Sequence, residues 1–307
     1  MVAHMSDQPQ AEVNQLVIVA GHRLLTLAVF EPESDDSVSA IYEHALDQVG
    51  AEPVDPLLDA NAEITSVLPQ GESALVFGTI DGEVVFTGTD DDDEEMDGVE
   101  ASEAAISALI EVKGAIIACT TDGEVLAIDG GEVKPWKTEG PALFAIAHYD
   151  GTTWIAGDEG YLARREDDGW KVMHTGTTES LQSLARTEGG VIAAGDGGAV
   201  VQVDGDVVSL RVEGEDDLGG VAIWRGAPVL AAGDGGLREL TATGTKLLRE
   251  GPCERVAADA KYLVISSGGA LLFTEDGIVW KPLSYAAPEP HDEHEHEHGE
   301  DCEVDHG

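Results

Sequence analysis

The residues best equipped for chemistry are crowded at the end of the chain. Five of the ten histidines stand between His291 and Gly307, among eight carboxylates and one cysteine. Imidazole is a ligand for Ni, Zn, Cu and Co ions. His294, His296 and His298 alternate, so an extended backbone places them on one face. His291 and His306 flank them, intervening carboxylates add oxygen donors, and Cys302 adds a thiolate. Such a set would hold several divalent metals loosely. The plainer alternative is a charged, solvated tail without a ligand.

A second family of carboxylates recurs at Asp-Gly or Asp-x-Gly turns: Asp122, Asp158, Asp196 and Asp234. If those turns share one rim, they form a circle that could take Ca²⁺ or a basic partner. The simpler reading is that each Asp bonds its own turn backbone. The run Asp90–Gly98, "DDDDEEMDG", has Glu95 and Ala101 where a calcium loop needs Gly and Glu. It reads as a solvated loop, and Ca²⁺ is disfavoured as a cofactor.

Little points to catalysis. There is no G-x-S-x-G and no P-loop, and His22, His148 and His174 are isolated in sequence. An enzyme is left open but not favoured.

The elements that would position these groups come from a repeat. Turn glycines fall at Gly82, Gly123, Gly160, Gly198, Gly236 and Gly269, separated by 41, 37, 38, 38 and 33 residues. Around each, short apolar runs alternate with Gly/Asp turns, as in "VIAAG", "AVVQV" and "VVSLRV". Four short strands per roughly 40 residues make one antiparallel sheet, the blade of a β-propeller. Small residues at Ala193, Ala194, Ala231 and Ala232 suggest strands crowded near the axis. The tryptophans, Trp136, Trp154, Trp170, Trp224 and Trp280, fall within blades and are expected to pack between them.

The expectation is therefore an all-β propeller of six or seven four-stranded blades. Residues 62–284 hold six clear repeats. Residues 1–61 hold a hairpin over Asn14–Phe30 and a short helix over Ser37–Val49, forming a divergent seventh blade or a cap. Residues 285–307 are a linker and a tail too polar to fold alone.

"WIAGDEGYLARREDDGW" (Trp154–Trp170) and "ISSGGALLFTEDGIVW" (Ile265–Trp280) resemble the repeats of Asp-box propellers, and most closely those of the photosystem II assembly-factor family. The resemblance covers about residues 64–284 and implies the fold alone. "TEDGIVW" has one residue fewer than a typical Asp box between Asp276 and Trp280, and most repeats lack the tryptophan.

Composition narrows the partners. The formal charge is −45, from 61 acids against 16 bases. Setting aside the tail and Asp90–Asp97 still leaves 46 acids, so the excess covers the whole surface. Such a field repels nucleic acid and anionic membranes and favours a basic protein partner. It also suits a salt-adapted protein, where screening removes self-repulsion. Cys119, Cys253 and Cys302 form no disulfide framework, which fits a reducing compartment. "LVIVA" (Leu16–Ala20) is too short for a leader or a span. The reading is a cytoplasmic, monomeric, non-catalytic scaffold with a metal-binding tail; metal capture, or an axial hydrolase or lyase, is the alternative.

Overall fold

In the computed structural model, residues 11–30, 37–50, 52–71, 74–88, 96–136, 140–167 and 169–288 are described. They form seven four-stranded antiparallel sheets, each built from consecutive strands. The first blade comprises β1 (Ala11–Val19), β2 (Arg23–Phe30), β3 (Val38–Ala45) and β4 (Leu58–Ala60). The innermost strands of the other six are β5 (Ile64–Gln70), β9 (Ile106–Val112), β13 (Leu143–Tyr149), β17 (Leu181–Arg186), β21 (Gly220–Trp224) and β25 (Val256–Ala258). Each packs against the innermost strand of its neighbours, and β1 touches both β5 and β25, so the ring is closed.

The core is divided in the same way. Seven apolar clusters lie between successive blades, one for each interface. The period-two alternation of strands feeds both neighbours of a blade. In β18 (Gly190–Gly195), Val191 and Ala193 face the fourth blade, while Ile192 and Ala194 face the sixth. No blade could bury both faces by itself, so the ring is one cooperative structure.

Two expectations need correction. Ser37–Val49 is not a helix. Val38–Ala45 pairs with β2 over eight residues, and only Leu46–Gln48 makes a single 3₁₀ turn. Buried Ser39, Ala40, Ile41, Tyr42 and His44 supply surface for both neighbours, and this packing overrides local propensity. The N-terminal region is thus the first of seven blades. The small residues Ala193, Ala194, Ala231 and Ala232 also lie on or at the end of second strands rather than the innermost ones, where they are fully buried between blades.

The ring closes without sharing a strand between its first and last blades. Tyr285 instead forms a parallel bridge with Val54. The Val54 N–H donates to Ser284 O (3.0 Å) and the Ala286 N–H to Val54 O (2.9 Å). Nearby, Lys261 Nζ lies 2.5 Å from Asp47, which also accepts the Tyr262 hydroxyl, and His22 Nδ1 lies 2.5 Å from Asp259 Oδ2.

Candidate functional site at the axial mouth

Chain direction alternates along each blade. Turns between second and third strands therefore emerge on the same face as the blade-to-blade connections, and the innermost strands begin there. Near that start, five innermost strands carry a β-bulge. The unpaired residues are Asn14, Thr65, Ser107, Phe144 and Gln182. A bulge lets one residue leave the alternation and re-aims its side chain. In the sixth and seventh blades Gly219 and Arg255 stand at the corresponding place, just before β21 and β25. All seven line one cavity of about 480 Å³ on the ring axis.

Second-strand glycines make room for the bulges. A Cβ on Gly157 would lie 2.0 Å from Ala142 O, and one on Gly195 would lie 1.8 Å from Ser180 O. The residues that follow donate to those same carbonyls: Asp158 N–H to Ala142 O (2.8 Å) and Asp196 N–H to Ser180 O (2.9 Å).

Neighbouring inner strands are stitched at this level by side chains. Gln15 accepts from Val67 N–H (2.7 Å) and donates to Val67 O (3.1 Å). Thr65 donates to Ile106 O (2.5 Å), and Ser183 Oγ accepts from Val221 N–H (3.1 Å). Arg255 spans three blades: Nε donates to Asn14 O (3.0 Å), and Nη1 to Gly219 O and Glu254 O (3.3 Å each). Burial lowers the guanidinium's pKa, and the Glu12 and Glu254 carboxylates oppose that effect. Ser107 Oγ is buried and has no hydrogen-bond partner among the described residues.

The four turn carboxylates occupy corresponding turns on this face but do different work. Asp158 Oδ1 accepts from Glu159 N–H (2.8 Å) and from Ser180 Oγ (2.8 Å) in the next connection. Asp122 accepts the Thr120 hydroxyl. Asp196 lies 3.4 Å from Gln182 Nε2. Asp234 has no side-chain hydrogen bond among the described residues. Asp158 thus bonds its own turn backbone, while Asp122 bonds a side chain of its turn instead. Among the described residues, no three His, Cys, Asp or Glu side chains are grouped so as to hold a metal. His291, His294, His296, His298, His306 and Cys302 lie outside the described residues, as do Asp90–Glu95.

Two of the isolated histidines, His22 and His148, have local partners. His22 meets Asp259 at the seam, and His148 Nδ1 lies 2.9 Å from Thr153 Oγ1. A second cavity, of about 510 Å³, opens near turns of the opposite face. There Arg225, Lys261 and Lys281 are offset by Glu275, Asp276 and nearby Asp47.

The axial ring was hidden in the sequence, but a weak signal exists. Thr65, Ser107, Phe144, Gln182 and Gly219 each stand 16 or 17 residues before a turn glycine. Each also follows a buried Ile or Leu: Ile64, Ile106, Leu143, Leu181 or Leu218.

No family model and no curated protein matches the sequence. Solved structures do match the fold. The WD40 β-propeller domain of Doa1 is similar with a TM-score of 0.65 at 12% identity, over 88% of this chain and 95% of that one. The computationally designed protein Ika8 gives 0.64 at 14%, over 88% and 85%. A catalytically inactive virginiamycin B lyase from Staphylococcus aureus, crystallised with quinupristin, gives 0.62 at 10%, over 73% and 84%. At these identities the likeness shows the fold alone: the chain is a seven-bladed β-propeller.

Proposed function

We propose that the protein is a non-catalytic interaction scaffold that presents the connection face, centred on the axial mouth, to a partner with a basic patch. The observation that carries this reading is the ring itself. Seven blades hold one another rigid and bring seven corresponding residues to one opening, while Asp122, Asp158, Asp196 and Asp234 occupy corresponding turns around it. The charge of −45 adds long-range attraction for a cationic surface. Among the described residues, the cavity wall carries one guanidinium but no imidazole and no carboxylate. That composition supports binding over acid–base turnover.

A test separates the rim from mere net charge. Replacing the four rim aspartates by asparagine removes four charges of 61 acids. Affinity for an oligolysine peptide, measured calorimetrically at low salt, should fall at least tenfold if the rim focuses the field. A change in proportion to net charge alone would count against the rim.

The tail remains a proposal of its own. We infer that His291, His294, His296, His298, His306 and Cys302 take up Ni, Zn, Cu or Co ions, the chemistry to which imidazole and thiolate are suited. Calorimetric titration of each metal into the full chain and into a chain ending at Pro288 tests it. That truncation keeps Tyr285 and Ala286, which hold the seam. Micromolar binding lost with the tail supports a metal-capturing appendage; equal weak binding by both chains removes it.

A further inference from the structure

We propose that the axial mouth is a carboxylate-binding site, in which the outer edge of the Arg255 guanidinium takes the acid group of a small organic acid. This goes beyond the scaffold reading and does not depend on it.

The first observation is the company that the arginines keep. The chain has nine, all within the described residues. Arg23, Arg164, Arg186, Arg211 and Arg238 each hold a carboxylate within 4 Å. Arg165, Arg225 and Arg249 lie over tryptophan rings. Arg255 has neither, in a protein with nearly four acids per base, and it is half-buried. A partly desolvated guanidinium with no carboxylate in contact, only the more distant charges of Glu12 and Glu254, favours an anion that can reach it.

The second observation is preorganisation. Carbonyls of Asn14, Gly219 and Glu254 hold Nε and Nη1, while Nη2 makes no hydrogen bond among the described residues. The planar head is thus fixed, and a guanidinium's paired N–H groups match a carboxylate. Gly219 is part of the fit. A Cβ there would lie 2.2 Å from Glu254 O and 2.8 Å from Arg255 Nη1.

The third observation is the rest of the wall. Asn14, Thr65 and Gln182 offer neutral polar groups, and Phe144 offers an apolar face, around a cavity of about 480 Å³. That suits a small acid carrying hydroxyl or amide groups. A phosphate is disfavoured. It brings more negative charge to one guanidinium, beside Glu12 and Glu254 and within a strongly negative field.

The test is calorimetric titration of succinate, L-malate, L-glutamate and inorganic phosphate into the full chain in 0.5–1 M KCl, enough salt to screen the overall field. A short peptide with a free C-terminal carboxylate, and its carboxamide, form a second arm. Saturable binding of at least one acid is expected, weakened at least tenfold in Arg255→Gln. Because Arg255 also ties three blades together, Gln182→Ala serves as a variant away from the seam. It should keep the wild-type melting temperature and lose several-fold in affinity. Binding of the free-carboxylate peptide alone keeps the site and assigns its ligand to a partner chain. Saturation by none of these probes, or binding undiminished in folded Arg255→Gln, overturns the proposal. The four-asparagine rim variant should leave acid binding intact, which separates this outcome from failure of the scaffold reading.

Discussion

The Tyr42 hydroxyl donates to the carbonyl of Ala286 at 2.6 Å, across 244 residues of sequence. Its ring centroid lies 4.9 Å from that of Tyr285, and both rings belong to the cluster that seals the first blade to the seventh. Burial raises the pKa of the Tyr42 phenol, with the charges of Tyr285 and Asp59 adding to it, so the hydroxyl stays a donor throughout the physiological range.

The seam should therefore depend on a few residues after the last strand. Ending the chain at Ser284 removes the Tyr285 ring and the Ala286 partner, and should lower unfolding stability by roughly 3 kcal/mol or more, as loss of a buried aromatic does. Ending it at Pro288 should cost little. Tyr42→Phe should cost about 1 kcal/mol, the worth of one hydrogen bond. Urea unfolding of the three variants checks the order; similar midpoints for both truncations would remove Tyr285 and Ala286 from the closure.

His44 should give the fold a pH dependence on the acid side of neutrality. Burial lowers its pKa below the ordinary 6.5, only partly offset by the Ser284 carbonyl 3.3 Å away, and Nδ1 has no hydrogen-bond partner among the described residues. Below pH 6.5 the unfolded chain takes up a proton that the native imidazole resists, so stability falls as pH drops through that window. Asp276 acts lower. The N–H groups of Val279 and Ile278 hold its carboxyl below the usual range, so its contribution is present above about pH 4 and is lost below it. Urea midpoints of the wild type and His44→Leu between pH 8 and 5 should diverge as pH falls, with the variant showing the shallower loss. Parallel curves would clear His44.

The fold was legible because its signal is repeated. One Gly/Asp turn is weak evidence, but six at nearly constant spacing, each between apolar runs, point to stacked sheets. The third strand of the first blade escaped because residues 37–49 contain Ala, Glu and Gln, which suit a helix, while the pairing partner of that segment lies in β2. The axial ring escaped for a different reason. A bulge is set by how two strands and a passing connection meet, and Asn14, Thr65, Ser107, Phe144 and Gln182 share no residue type. The sequence drew attention instead to carboxylates, whose charge is conspicuous anywhere. Asp158 is partly occupied in bonding its own turn and the next connection.

Cys119 and Cys253 should be chemically silent in the native state. Both are fully buried, and burial pushes the Cys119 thiol well up and the Cys253 thiol up to about 12, so neither carries appreciable thiolate at pH 8. A disulfide-exchange reagent at pH 8 should modify them only after denaturant is added, with the rate tracking unfolding. Fast native labelling of either, located by peptide mapping, would show that its interface opens.

Gly195 tests whether close approach, rather than backbone freedom, fixes glycines in the second strands. Its φ of −167° is extended, a conformation open to any residue. The constraint is steric: a Cβ would lie 1.8 Å from Ser180 O and 2.8 Å from the Leu181 Cα, and both obstacles are backbone. Neither can turn aside as a flexible side chain could. Gly195→Ala must therefore push the start of β17 outward, straining the Asp196 N–H bond to Ser180 O and the bulge that presents Gln182. A cost of about 3 kcal/mol is expected, at the upper end for overpacking. Gly205→Ala is the contrast, because nothing lies within 4 Å of a Cβ there and only its φ of +60° opposes the substitution. That strain is on the order of 1 kcal/mol. Unfolding midpoints should place Gly195→Ala well below Gly205→Ala, and the reverse order would mean that torsion, not contact, selects glycine in this ring.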